Sequence, residues 1–377
     1  MINKVSIKNF RCFHQTQIEG FAQINLISGL NNAGKTAFLE ALLLNGAPSL
    51  ETILTLRELR GEENEYAKLY PEYTWDSLFN NQNKEEKIEI CTNFEEKDEQ
   101  TLQISVMNEK ELEEIFSGSK IDVYKEKVLS TLLASPKTTH DDKITPTFVT
   151  FFPIISEKEG LNEFNEFEKY RSTSSFFKHV SSETQKYSQY KMHFIPVSYH
   201  KKGAELAREY SKAERVNKAN LVKKAIQLVD KTITDINVSV LNGINLVLKR
   251  EGENSMPVSM FGDAINKIVN IILTVINNNS SVLLIDEIEN GIHYTVQREF
   301  WTYLFKLAKE LNIQIFATTH SLEMIRAFAD VAKEEFQDET AYFEFIRHIK
   351  THEIDANRHD LATLTYELNH KLAIRGE

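Results

Sequence analysis

"QINLISGLNNAGKTAFLEALLL", residues 23–44, decides the fold. Within it, Gly29-Leu30-Asn31-Asn32-Ala33-Gly34-Lys35-Thr36 satisfies G-x-x-x-x-G-K-[ST], with a strand-like apolar run before it and a helix-forming run after it. That order is what a P-loop requires. Glycines let the backbone wrap a phosphate, so that successive N–H groups and the positive end of the next helix face the anion. On this reading Gly29, Asn31, Asn32, Ala33, Gly34, Lys35, Thr36 and Ala37 cradle the phosphates of a nucleotide. Lys35 reaches the β/γ-phosphates as a catalytic cation, and Thr36 serves a Mg²⁺. The expected fold class is α/β, a P-loop NTPase.

The rest of the chain is consistent with that start. Its 377 residues, 41% apolar and 10% aromatic, are ample for a large buried core. A formal net charge of −11 argues against broad nonspecific DNA binding, although a local basic stripe could still serve nucleic acid. Two cysteines, Cys12 and Cys91, exclude a disulfide framework and a Cys-based zinc site and point to a reducing, cytoplasmic setting. "MINKVSIKNF" alternates apolar and polar residues, lacks a signal-peptide core and reads as a first strand. The most apolar run, "IVNIILTVI" at 268–276, is too short to span a bilayer, so no membrane segment is expected.

Residues 1–106 read as the N-terminal part of the ATPase head, 107–190 as an inserted, mainly helical or irregular region, and 191–377 as the C-terminal part of the head. In the last part, "MHFIPVS" (192–198) reads as a buried strand before one long helix over about 203–234. That helix carries Leu206, Tyr210, Ala213, Leu221 and Leu228 on one face and Arg208, Lys212, Arg215 and Lys223 on the other. A solvated surface explains the basic face most simply; an anionic partner is the sharper reading. Asn242-Gly243 between two apolar alternations predicts a hairpin. Buried strands and amphipathic helices then alternate, as in a parallel α/β sheet.

"SVLLIDE" is a hydrophobic strand ending in Asp286-Glu287, the acid pair a P-loop enzyme needs opposite Lys35. Asp286 is expected to serve the Mg²⁺ and Glu287 to orient and deprotonate the attacking water. "FATTHS" puts His320 at the tip of the next strand, where open α/β sheets contact ligands. Its imidazole is expected to position the water or donate to the γ-phosphate. Asp286 comes about 250 residues after Lys35, a separation that points to a large insertion between the motifs. No N-K-x-D guanine motif occurs, so ATP is preferred over GTP.

Together "IKNFRCF", the P-loop, "SMFGDA", "LLIDEIENGIH" and "FATTHS" resemble the ABC-type ATPase heads of the SMC, RecF and OLD (overcoming lysogenization defect) group. The "IDEIENGIHY" version is most similar to OLD-like ATPases, which include subunits of bacterial phage-defence systems such as Septu and PARIS. The resemblance covers residues 1–45 and about 190–350. It implies an ABC-type head with a mixed sheet, in which Ser259 and Gly262 form the signature loop that closes over a second head's nucleotide. This loop departs from L-S-G-G-Q by keeping one clear glycine. Asn290, Gly291 and His293 fall in the D-loop region, Arg11 matches an arginine facing the nucleotide, and Gln82 is the one candidate for the Q-loop. The stretch after His320 is too short for the Toprim nuclease domain of full-length OLD nucleases. His348 and His352, four apart, read as a solvated edge rather than a metal site.

The expected function is an ATP-hydrolysing switch with ATP and Mg²⁺ as cofactors, a homodimer or higher homo-oligomer of ATP-sandwiched heads controlling an effector protein in trans, plausibly in phage defence. The alternative is a RecF-like ATPase that clamps DNA. An inert ATP-binding scaffold conflicts with the intact Glu287, and a transporter subunit with the degenerate signature loop.

Overall fold

A computed structural model describes residues 1–62, 73–94, 99–107, 128–138, 148–153, 191–197, 201, 203–240, 243–277 and 282–370. The strands, in chain order, are β1 (Ile2–Phe10), β2 (Phe13–Glu19), β3 (Ile24–Gly29), β4 (Ile88–Phe94), β5 (Glu99–Met107), β6 (Val128–Thr138), β7 (Phe148–Pro153) and β8 (Met192–Ile195). They continue with β9 (Ile233–Ser239), β10 (Asn245–Arg250), β11 (Met256–Pro257), β12 (Val282–Ile285), β13 (Gln314–Thr318), β14 (Thr340–Arg347) and β15 (Ile354–His359). The helices are α1 (Lys35–Gly46), α2 (Leu50–Leu59), α3 (Gly203–Arg215), α4 (Ala219–Val229), α5 (Asp263–Asn277), α6 (Tyr294–Leu311), α7 (Leu322–Glu335) and α8 (Leu361–His370). The chain divides into two compact units, one made of residues 1–4, 18–39 and 190–377, the other of 5–17 and 40–189.

In the first unit a six-stranded sheet runs in the order β15-β14-β3-β13-β12-β8. Pairings from β8 through β14 are parallel and β15 joins antiparallel, so the sheet is mixed and the fold is α/β. Every residue of β3, β12 and β13 is buried, which is why these strands are unbroken apolar runs rather than alternations. The apolar run at 268–276 lies in α5, buried at each position from Lys267 to Ile276. Around Trp301, the rings of Phe305 and Phe328 pack with centroids 5.3 Å away, tilted and edge-on respectively. Polar side chains inside this unit are tied to backbone: Gln314 exchanges hydrogen bonds with Ile2 N and Ile2 O, and Asn25 bridges the carbonyls of Ala22 and Ile315.

The long helix expected over 203–234 is two helices. Asn217 is left-handed at φ 58°, and the N–H groups of Asn217 and Lys218 donate back to Glu214 O and Ala213 O, the paired bonds of a Schellman stop with asparagine in glycine's place. The apolar face nevertheless continues across the break, through Leu206, Tyr210 and Ala213 to Val222, Ala225 and Ile226, while Leu221 and Leu228 are half-buried. The helical pattern expected to reach 234 gives way to β9, which pairs antiparallel with β10 in a three-stranded sheet, β11-β10-β9. Among the described residues no helix is long and apolar enough to cross a membrane.

The second unit holds most of the sheet β2-β1-β4-β5-β6-β7, antiparallel from β4 to β7. β4 alternates, burying Ile88, Ile90, Thr92 and Phe94. Residues 5–17 and 40–106, read from sequence as part of the head, belong here because the ladder running from β1 through β4 and β5 joins them to the later strands. Within 107–190, where mainly helical or irregular structure is expected, the described residues form β6 and β7. The free edge of β5 supplies the reason: β6 pairs along it from Gln100↔Thr138 to Met107↔Thr131, and ladder formation overrides local propensity. The rest of 107–190 lies outside the described residues.

Candidate active site

β3 delivers the chain to the P-loop with Gly29 at φ 136°, where an added Cβ would lie 2.3 Å from Phe345 O, so only glycine fits. Asn32 and Gly34 are also left-handed, at φ 65° and 89°, which wraps the backbone into an anion-receiving nest before α1 begins at Lys35. Leu30, Asn31 and Asn32 are exposed; Ala33, Gly34, Lys35 and Ala37 are buried. The Lys35 ammonium bends back over the loop and donates to Gly29 O at 2.7 Å and Leu30 O at 2.9 Å. Burial lowers its pKa, and the carboxylates of Asp286, Glu289 and Glu287 oppose that fall.

The acid pair lies at the carboxyl end of β12, on the far side of β13 from β3. Thr36 Oγ1 donates to Asp286 Oδ2 at 2.9 Å and lies 3.1 Å from Oδ1. A threonine hydroxyl beside a buried carboxylate, at the start of the P-loop helix, is a hard-oxygen pair that fits Mg²⁺. Thr318, at the end of β13, donates its hydroxyl to Asp286 Oδ1 and accepts the N–H of Glu287 at 2.9 Å, so one side chain sets both acids. Glu287 itself is left-handed, φ 46°, with a half-exposed carboxylate.

His320 stands 3.9 Å from Glu287 Oε1 through Nδ1, but its close partner is Glu289, whose Oε1 meets Nδ1 at 2.9 Å and accepts the His320 backbone N–H at 2.8 Å. With Nδ1 carrying the proton toward Glu289, Nε2 is left for a ligand. The structure thus brings together Lys35, Thr36, Asp286, Glu287 and His320. Sequence reasoning missed Thr318, Glu289 and, on α5, Lys267, whose Nζ donates to Glu287 O. The only signal for Glu289 was a third acid two residues beyond Glu287, and for Thr318 a hydroxyl two residues before His320.

Ser259 and Gly262 are exposed, on a short turn ahead of α5, with Gly262 at φ 84° and open space around its Cα. Gly291 packs against the start of α5, where a Cβ would approach that of Asp263 to 3.0 Å, and His293 caps α6 by accepting the Thr295 N–H. Arg11 belongs to the second unit, where its guanidinium is held by Glu40 at 3.1 Å and Ser77 O at 2.8 Å. Gln82 is exposed in the same unit, and His348 pairs with Asp355 at 2.7 Å.

A glycine nest closed by lysine and faced by a strand-end acid pair and a histidine defines the P-loop nucleoside triphosphatases. The family model described as "AAA domain, putative AbiEii toxin, Type IV TA system" matches residues 24–326, and the chain belongs to that family. It is an ATP-binding and ATP-hydrolysing enzyme of the P-loop class. A Helicobacter pylori protein named "ATP/GTP phosphatase" is 27% identical over 354 residues, 91% of this chain and 92% of the relative. An uncharacterized protein of Methanocaldococcus jannaschii is 50% identical over 44 residues, 12% of this chain and 20% of that protein. Similar solved structures include the SMC head domain from Thermotoga maritima, at 12% identity and a TM-score of 0.44, covering 94% of this chain and 98% of that one. Another is the Smc head domain with an extended coiled coil from Pyrococcus furiosus, at 8% identity and a TM-score of 0.47, covering 98% and 99%.

Proposed function

We propose that the chain is an ATP-driven switch of the ABC type, similar to OLD-family ATPases, which works as a homodimer and controls an effector protein in trans in bacterial phage defence. The observation that carries this reading is the meeting of Lys35, Thr36, Asp286, Glu287 and His320 at the carboxyl ends of β3, β12 and β13. The toxin and toxin–antitoxin description of the family and the phosphatase name of the H. pylori relative support a nucleotide-hydrolysing role in a defence setting. A cytoplasmic setting fits a pair of cysteines, Cys12 and Cys91, that form no disulfide.

ATP is the substrate. Backbone N–H groups of the loop and the Lys35 ammonium neutralise its phosphates, and Glu287 takes a proton from water as the water oxygen bonds to the γ-phosphorus. The bond from that phosphorus to the bridging oxygen breaks, and ADP and phosphate leave. Thr36 and Asp286 would hold a Mg²⁺, which when bound would neutralise phosphate charge. His320, oriented by Glu289, presents Nε2 to the γ-phosphate or the water. The exposed Ser259–Gly262 loop completes the site of a second copy.

The test is Glu287→Gln, which keeps shape but removes the base. Hydrolysis is expected to fall about 10²–10⁴-fold while ATP still binds, so the variant accumulates as a dimer in Mg-ATP, read by light scattering. Near-normal turnover would place the base elsewhere; slow turnover without dimer growth would remove the switch and leave only the ATPase.

A further inference from the structure

α5 is buried at every position from Lys267 to Ile276, and the one charged side chain in that run is a lysine. Lys267 is 8% exposed and its neighbours along the helix include Ile265, Ile268 and Ile271, all buried. A buried cation costs far more than an apolar residue of similar volume unless something nearby needs its charge. Its ammonium donates to the backbone carbonyl of Glu287, the same carbonyl that accepts the Asn290 N–H at 2.9 Å. Glu287 is a left-handed non-glycine residue, a conformation that persists only when its surroundings over-determine it. Charge-assisted hydrogen bonds are the strong ones, and here one end is a lysine fixed on a rigid helix. The preceding residue faces the other way: Asn266 Nδ2 donates to Gly262 O at 2.7 Å and Val258 O at 3.3 Å. One helical turn therefore holds the signature loop with one side chain and the Glu287 turn with the next.

We infer that Lys267 is a positioning residue for water activation, holding the left-handed turn that aims the Glu287 carboxylate and tying that turn through α5 to the signature loop. The inference rests on the assignment of Glu287 as the base. Burial pushes the Lys267 ammonium down to about 8, against the pull of Glu289, Glu287 and Asp286, as fits a cation placed for the acids and not for solvent.

The test compares Lys267→Met, Lys267→Arg, Glu287→Gln and the double variant Lys267→Met/Glu287→Gln in the full chain. Single-turnover hydrolysis gives the rate, calorimetry with Mg-ATP the affinity, and thermal melting the fold. Lys267→Met is expected to lose about 10²-fold in rate, the scale of a small misplacement of a reacting group, with Mg-ATP affinity within about twofold of wild type, since only the transition state uses the aimed carboxylate. Lys267→Arg should restore much of that loss. The double variant should be no slower than Glu287→Gln, because a residue acting only through Glu287 has nothing left to position. A wild-type rate in folded Lys267→Met overturns the inference, and so do losses that multiply in the double variant. If Lys267→Met does not fold, Lys267→Gln carries the same comparison. A wild-type rate in Glu287→Gln removes the base assignment itself, whereas slow Glu287→Gln with fast Lys267→Met removes the inference alone.

Discussion

β3, β12 and β13 of the parallel sheet are buried at every residue, whereas β4 of the antiparallel sheet alternates buried and open positions. The polar groups inside the two units differ in the same way. At the carboxyl ends of the parallel strands, Asp286, Thr318 and Glu289 are buried and aimed at one another and at Thr36 and His320. In the second unit, buried Glu40 is bracketed by Arg11 at 3.1 Å and Arg60 at 2.8 Å, and Asn45 ties Thr92 to Gln100 O. Those groups bond to one another and frame no glycine nest. A sheet covered on both faces leaves its strand ends as the place where polar side chains can converge on a ligand, while a half-solvated sheet spends its buried polar groups on holding itself together.

If that contrast is right, substitutions in the two units should fail differently. The largest effect is expected for Lys35→Ala, which leaves phosphate charge unpaired in a site built to neutralise it: ATP binding measured by calorimetry should disappear and turnover fall by about 10³-fold, with the melting temperature little changed. Unchanged affinity would break the site assignment. Next is Glu40→Ala, which removes the closest carboxylate from the half-buried Arg11 guanidinium and leaves it Glu62 at 3.6 Å; chemical denaturation should show a loss of about 3 kcal/mol. A Glu40→Ala protein of full stability would mean that the second unit's polar core is not structural.

The smallest effect concerns His359, on β15, which lies 3.4 Å from Glu344 and 3.2 Å from Glu367. The neighbouring Glu344 carboxylate raises its pKa above the ordinary 6.5, with burial opposing and Glu367 adding to the rise. A raised folded-state pKa means that the native state binds the proton more tightly. The stabilisation is therefore complete below 6.5 and is lost as pH climbs through the folded value. Melts of His359→Gln across that window should lack the decline that wild type shows, and parallel curves would show that the pH dependence arises from other groups.

Legibility in the sequence followed contiguity. The P-loop, the strand before it and the helix after it, the apolar run of α5 and the Asp286-Glu287 strand end are each written in neighbouring residues, where local backbone preference and burial act together. The break at Asn217 was hidden because asparagine replaces the glycine that usually marks such a stop, and the amphipathic face runs on through it. β6 was hidden because its pairing with β5 is a property of two distant segments.

By itself, then, the sequence determined that a phosphate-binding loop exists, that its lysine and threonine begin a helix, and that an acid pair and a histidine end two buried strands. Only the tertiary structure decided that Thr318 serves both acids, that Glu289 rather than Glu287 is the close partner of His320, that Lys267 reaches the Glu287 carbonyl, and that residues 5–17 and 40–106 cluster with the antiparallel unit. The reason is physical. A nest of N–H groups is made by consecutive φ and ψ angles and can be read as a motif, but a hydrogen bond between side chains on β12, β13 and α5 depends on strand order and helix packing, which no local pattern encodes.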